Sequence, residues 1–153
     1  MILSFKRKKR KEKIGTKAII HSSLGEFTTG NKTHPPRFDS GGHGEENIRE
    51  LNRRGIKFNI VKTFPNGVRI GNVPTHKQPF KRKKNGQAWF PKNWTRKTIK
   101  NAGEKTINSR PYKLPDGRIM FGAHKKVKIG VIRNNGIVRT IFPCYKQSGG
   151  KKK

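Results

Sequence analysis

The sequence predicts an α+β fold in a single domain, and three observations carry that prediction. At 153 residues the chain has the size of one ordinary domain, with no room for a second substantial core. Its apolar periodicity is helical in some stretches and strictly alternating in others, which separates helices from strands along the chain. No repeat and no heptad pattern runs through it, so neither a solenoid nor a coiled coil is indicated.

The elements follow in order. The run K-R-K-K-R-K-E-K at 6–13 has charge and nothing to bury, so residues 1–13 read as a basic disordered arm. The folded domain is expected over 14–147, with 148–153 as a disordered tail. Residues 14–27, I-G-T-K-A-I-I-H-S-S-L-G-E-F, are an apolar-led segment that carries His21. The stretch 28–44 reads as a loop because Pro35-Pro36 forbids regular helix there, and His43 lies near its end. A helix is predicted over 45–54: Glu45 and Glu46 open it, Ile48 and Leu51 share a face, Arg53 and Arg54 close it, and Gly55 stops it. His43 thus stands just before a helix N-terminus, where backbone N–H groups favour an anion.

Residues 56–64, I-K-F-N-I-V-K-T-F, alternate as a half-buried strand would. Pro65-Asn66-Gly67 turns the chain into a partner strand over 68–73, giving a hairpin. A second basic loop covers 74–87. A short helix is expected at 95–102, capped by Asn93 or Thr95 and ended by Gly103. After the turn Pro115-Asp116-Gly117 come strands at 118–122, 127–133 and 137–142, the last two joined across Asn134-Asn135-Gly136. Trp89, Phe90 and Trp94 are assigned to the core, since a chain with 29% hydrophobic residues needs its aromatics inside; an exposed stacking platform is the alternative.

Charge narrows the partners. The formal net charge is +30, from 38 Lys and Arg against 8 Asp and Glu, and such self-repulsion makes sense where phosphates neutralise it. A polyanion, RNA first, is the expected partner. The single Cys144 rules out an internal disulfide and a Cys-based zinc site. His34, His76 and His124 have no partner at ligand spacing, and no His-x-x-x-His, Cys-x-x-Cys or carboxylate cluster occurs, so neither a metal nor a cofactor is expected. Neither G-x-x-x-x-G-K-[ST] nor G-x-S-x-G is found, which argues against nucleotide hydrolysis and serine-esterase chemistry. The apolar run at 1–5 is too short for a signal peptide, and no stretch has the length of a membrane span.

Two histidines stand in settings that chemistry explains better than folding: His21 in H-S-S-L-G-E-F and His43 in S-G-G-H-G-E-E-N. With an unperturbed pKa of about 6.5, histidine suits either proton role when RNA is cut by its own 2′-hydroxyl. His21-x-x-x-Gly25-Glu26-Phe27, Gly41-Gly42-His43, Trp89-Phe90-Pro91-x-x-Trp94-Thr95 and Thr140-Ile141-Phe142-Pro143 occur in that order. Together they resemble the EndoU endoribonuclease superfamily, most closely its bacterial toxin and prophage-borne members.

The resemblance implies two facing antiparallel sheets with flanking short helices and a site in the cleft between them. It implies metal-independent cleavage to 2′,3′-cyclic phosphate and 5′-hydroxyl ends, with His43 as base and His21 as acid. A third, lysine member should lie among Lys77, Lys81, Lys83, Lys84 and Lys92, and the spacing from the Gly-Gly-His element favours Lys84. Thr140 and Phe142 are expected to contact the nucleoside, and Lys77 and Lys92 the phosphates. Viral relatives carry an aromatic hydroxyl at the place of Phe142, so uridine preference does not transfer. The relatives also imply a monomeric toxin domain, secreted or delivered into a target cell's cytoplasm, acting on tRNA or other structured RNA and held by an acidic immunity protein. The alternative from composition alone is a non-catalytic, ribosome-associated RNA-binding protein.

Overall fold

A computed structural model of the chain describes residues 11–147; the remainder of the basic arm, 1–10, and the tail at 148–153 lie outside the described residues. Among the described residues the architecture is α+β, with three helices and three small antiparallel sheets. In chain order these are α1 (Thr16–Ser23), β1 (Glu26–Phe27), β2 (Phe38–Ser40), α2 (Glu45–Arg54), β3 (Asn59–Thr63), β4 (Arg69–Asn72), β5 (Gln87–Trp89), α3 (Arg96–Ile107), β6 (Ile119–His124), β7 (Val127–Asn134) and β8 (Ile137–Pro143). A short 3-10 turn, Pro79–Lys81, interrupts the second basic loop.

Two three-stranded sheets, β3-β4-β5 and β6-β7-β8, are joined by one apolar cluster. Val68, Ile70 and Phe90 enter it from the side of the first sheet, Met120, Ile129, Val131 and Ile141 from the second, and Ile19, Ile99 and Ala102 from α1 and α3. A smaller cluster of Phe38, Ile48, Leu51, Val73 and Trp89 seats the apolar face of α2. Trp89, Phe90 and Trp94 are all buried, and Phe90 stacks on Trp94 with ring centroids 4.8 Å apart. They are core residues, not a stacking platform.

Four expectations are corrected. The third sheet is a two-stranded ribbon, β1 with β2, inside a stretch read as coil, because its two and three residues are too few to show a period. Only Asn59–Thr63 of the expected half-buried strand pairs as β3, and all five residues are exposed; Phe58 and Phe64 anchor its ends. Gly103 does not end α3, whose N-cap Thr95 accepts from the Thr98 amide at 3.2 Å. A Cβ at Gly103 would lie 2.6 Å from Cδ1 of Ile141, so the glycine is a close-contact point of helix on sheet and not a stop signal. The folded region also reaches back before residue 14. Both terminal guanidinium nitrogens of Arg133, Nη1 and Nη2, donate to the Glu12 carboxylate at 2.8 and 2.7 Å, and the Glu12 amide donates to Asn108 Oδ1 at 2.9 Å.

Candidate active site

The two histidines meet because the loop carrying one caps the helix carrying the other. The last carbonyls of an α-helix lack intrahelical partners. Here the amides of Gly42, His43 and Gly44 donate to the carbonyls of His21, Ser22 and Ser23 at 2.9, 2.6 and 3.0 Å. This ladder needs a backbone that glycine alone adopts easily: Gly41 and Gly42 have φ of 66° and 69°. A Cβ at Gly41 would overlap the carbonyl oxygen of His21, and one at Gly42 would lie 2.6 Å from the Phe38 ring. Gly44 then serves as N-cap of α2, so His43 stands just outside that helix start, as the sequence predicts.

Each imidazole is oriented through Nδ1. His21 Nδ1 lies 2.9 Å from Glu26 Oε2, a carboxylate that also accepts from Ser40 Oγ at 3.0 Å. A carboxylate accepts only, so Nδ1 of His21 bears a hydrogen and donates it, which leaves Nε2 as the nitrogen that can exchange a proton. Burial raises the Glu26 pKa, but the hydrogen bond and charge of His21, the Ser40 hydroxyl and Arg139 outweigh it and leave the pKa lowered. His43 Nδ1 donates to the Ala88 carbonyl at 2.8 Å, fixing the opposite nitrogen as the bare one. Burial pushes the His43 pKa well below the usual value; Lys81, His21 and His76 press in the same direction, and the Ala88 carbonyl opposes them. His43 is thus neutral at pH 7, with its lone pair on Nε2.

The cation beside His43 is Lys81, from the 3-10 turn. Its ammonium is buried and donates to Gln87 Oε1 at 2.9 Å, and Gln87 Nε2 donates to the Gly42 carbonyl at 2.8 Å. One fully buried amide therefore ties the lysine to the Gly-Gly-His loop. Burial pulls the Lys81 pKa down to about 8. Lys84, which spacing favoured, is exposed with φ of 50°, and its backbone carbonyl accepts from Asn72. Lys77 and Lys92 are exposed as well. Spacing ranks Lys84 above Lys81 because it weighs position along the chain and carries no information on burial. Gln87 gave no sequence signal.

His76 braces the same turn. Its buried ring accepts from the Gln78 amide through Nδ1 at 2.8 Å, while Nε2 has no partner among the described residues. Burial, then Lys81, Arg82 and Arg37, push its pKa down to about 3. Phe142, half-buried on β8, has its ring centroid 6.1 Å from that of His43. Gly130 opposite makes room, since a Cβ there would overlap the Phe142 ring. Thr140 is half-buried two residues earlier on the same strand. A cleft of about 480 Å³ runs from His21 and Glu26 past Lys13, Lys17 and Arg139.

Among the described residues, no three His, Cys, Asp or Glu side chains gather as a metal site. No curated protein and no solved structure matches the chain. Residues 15–145 match the family described as bacterial EndoU nuclease, so the chain belongs to that family and is an endoribonuclease.

Proposed function

We propose that this site cuts RNA through attack of the 2′-hydroxyl on its own phosphodiester, leaving a 2′,3′-cyclic phosphate and a 5′-hydroxyl. The supporting observation is the Nδ1 hydrogen bond from His43 to the Ala88 carbonyl, with burial keeping the ring neutral. That arrangement presents an unprotonated Nε2, able to accept a proton, in a water-poor setting. His43 Nε2 takes the 2′-hydroxyl proton, O2′ bonds to phosphorus, the bond from phosphorus to O5′ breaks, and His21 Nε2 gives O5′ its proton. The carboxylate of Glu26, 2.9 Å from Nδ1, pairs with His21 while the ring holds both protons. Proton exchange with solvent then resets both rings.

Lys81, in the role expected of Lys84, supplies the cation at the phosphate. Of three ammonium donors one goes to Gln87, leaving two for non-bridging oxygens. Phe142 offers a stacking face for the nucleoside upstream of the cut, and Thr140 a hydroxyl. The cleft beside His21, with Lys13, Lys17 and Arg139 on its walls, suits the leaving strand. Exposed Lys77 and Lys92 add to the phosphate-binding field. The test is end analysis of total RNA treated with the protein in excess EDTA: cyclic phosphates and 5′-hydroxyls are expected, and 5′-phosphate ends would overturn the mechanism.

The +30 charge favours substrates of high phosphate density, such as tRNA. Together with the family, it supports a monomeric antibacterial toxin domain delivered into a target cell's cytoplasm and neutralised by an acidic immunity protein, since a strongly acidic surface would complement it. Co-purification with a small acidic partner that blocks cleavage tests this; a neutral or basic inhibitor would count against it. Family membership sets aside the non-catalytic ribosome-associated reading.

A further inference from the structure

The turn Pro79–Lys81 buries its ammonium and exposes its phenyl ring. Lys81 is 7% exposed and Phe80, its neighbour, 58%, the reverse of the order that burial energies favour. Folding alone does not account for this. The turn is held by its backbone: the Val73 amide donates to the Lys81 carbonyl at 2.9 Å, the Arg82 amide to the Pro79 carbonyl at 3.1 Å, and the Gln78 amide to His76. Removal of the Phe80 ring would leave all three in place. Trp89, Phe90 and Phe38 are fully buried, whereas Phe121 on β6 and Tyr112 are as open to solvent as Phe80, so what singles out Phe80 is its place beside the buried ammonium and not exposure alone.

A second exposed aromatic lies against the same backbone. Tyr145, 43% exposed, donates its hydroxyl to the Gly86 carbonyl at 3.0 Å. Gly86 is pressed so closely on the turn that a Cβ there would lie 2.5 Å from Lys81 Cα. The Phe80 ring centroid is 5.6 Å from Lys81 Nζ, so a phosphate held by that ammonium would bring an adjoining nucleotide within reach of the ring.

We propose that Phe80 is a stacking platform for a second nucleobase of the RNA, one flanking the cut and distinct from the base expected on Phe142. This rests on Lys81 as the phosphate cation. Aromatic stacking accepts any base because every base has a π-face, so the platform contributes affinity and register without base preference. It would also favour RNA whose bases next to the cut are unpaired, since a base within a helix cannot leave its neighbours to stack on protein without cost.

The experiment uses a short RNA oligonucleotide cut at one site, together with versions carrying a single abasic ribonucleotide at each flanking position. With the unaltered protein, one abasic position other than the Phe142 nucleotide should raise KM about tenfold, the scale of one stacked base, with kcat within about twofold. Phe80→Ala should raise KM about tenfold on the intact RNA and show no further loss at that position, while Phe80→Trp should retain the unaltered values. An unchanged KM in Phe80→Ala, or the same abasic penalty in Phe80→Ala at every position, would overturn the platform. Lys81→Ala and His43→Ala separate the two ideas. If both cut at least about 10²-fold more slowly and Phe80→Ala is normal, only the platform falls; if Lys81→Ala cuts normally, the phosphate assignment falls and the platform with it.

Discussion

The amide of His43 donates to the carbonyl of Ser22 at 2.6 Å, and this one bond is the middle of a ladder that makes two distant histidines a single unit. His43 comes from a loop, His21 from a helix, and the loop completes the helix. The conformational freedom of Gly41 and Gly42, and their lack of a Cβ, is what permits the approach. Function and folding are therefore coupled at the Gly-Gly pair.

Gly41→Ala should destabilise the protein by about 2–4 kcal/mol, adding left-handed strain to overlap with the His21 carbonyl, and should lower cleavage as His43 moves. Gly136→Ala is the control. Gly136 also has positive φ, but nothing lies within 4 Å of its added Cβ, so only about 1 kcal/mol is expected. Thermal unfolding of the two variants decides the point; equal losses would mean that close approach at Gly41 contributes nothing.

His21→Ala and His43→Ala should each slow cleavage by at least about 10²-fold, the usual scale for loss of an acid or base. RNA affinity should stay within about twofold, because phosphate contacts set it. Gel-shift titration beside single-turnover cleavage separates the two effects. Normal turnover in either variant would remove that histidine from the mechanism.

Lys81 should add a fall near pH 8 to the alkaline side of the pH profile. Lys81 is charged below its folded pKa of about 8 and neutral above it, so the cation at the phosphate is lost as pH rises through that value. His43, lowered well below the ordinary value, stays a competent base throughout this range. Lys81→Arg keeps a charge at every accessible pH and should abolish the limb near 8, whatever its absolute rate. Persistence of the limb in that variant would assign it to another group.

Lys81 should also cost stability. Its pKa falls from 10.5 to about 8 on folding, a penalty on the order of 3 kcal/mol for the charged form. The unfolded chain binds more protons between those two values, so the penalty is full below pH 8 and relieved by about 10.5. Lys81→Met should raise the unfolding midpoint by a few degrees at pH 7 while abolishing cleavage. The gain is reduced because Gln87 Oε1 loses its partner, which costs about 1–3 kcal/mol. Differential scanning calorimetry at pH 7 tests it; a lower midpoint would show that the Gln87 bond outweighs burial of the charge.

Phe142→Tyr should shift cuts towards uridine. The Phe142 ring stands 6.1 Å from His43 and carries no hydroxyl to read a base edge, so the native chain should cut with relaxed base preference. Mapped ends from a mixed RNA pool provide the measure. An unchanged distribution would make Phe142 a packing residue over Gly130.

Local signals were legible in the sequence. Glu45, Glu46, Arg53, Arg54 and Gly55 define α2, and the structure bounds it at Glu45–Arg54 with Gly55 as a left-handed C-cap. Asn135 and Gly136 turn β7 into β8 with positive φ. His21 and His43 stood out because glycine-rich, polar surroundings are unusual for a packing histidine. All these features depend on residues within about four positions of one another, the reach of caps and turns.

What only the tertiary structure decided depends on distance in the chain. Gly103 reads as a stop until Ile141 is placed against it, and Glu12 reads as part of a charged arm until Arg133 meets it. Burial among the lysines is the clearest case. Lys81 and Lys84 are alike by composition and nearly alike by spacing, but Lys81 is buried and tied to Gln87, whose amide reaches back 45 residues to Gly42. A lysine's charge acts strongly on a neighbour only where water is excluded, and which lysine loses its water is determined by packing partners far away in sequence.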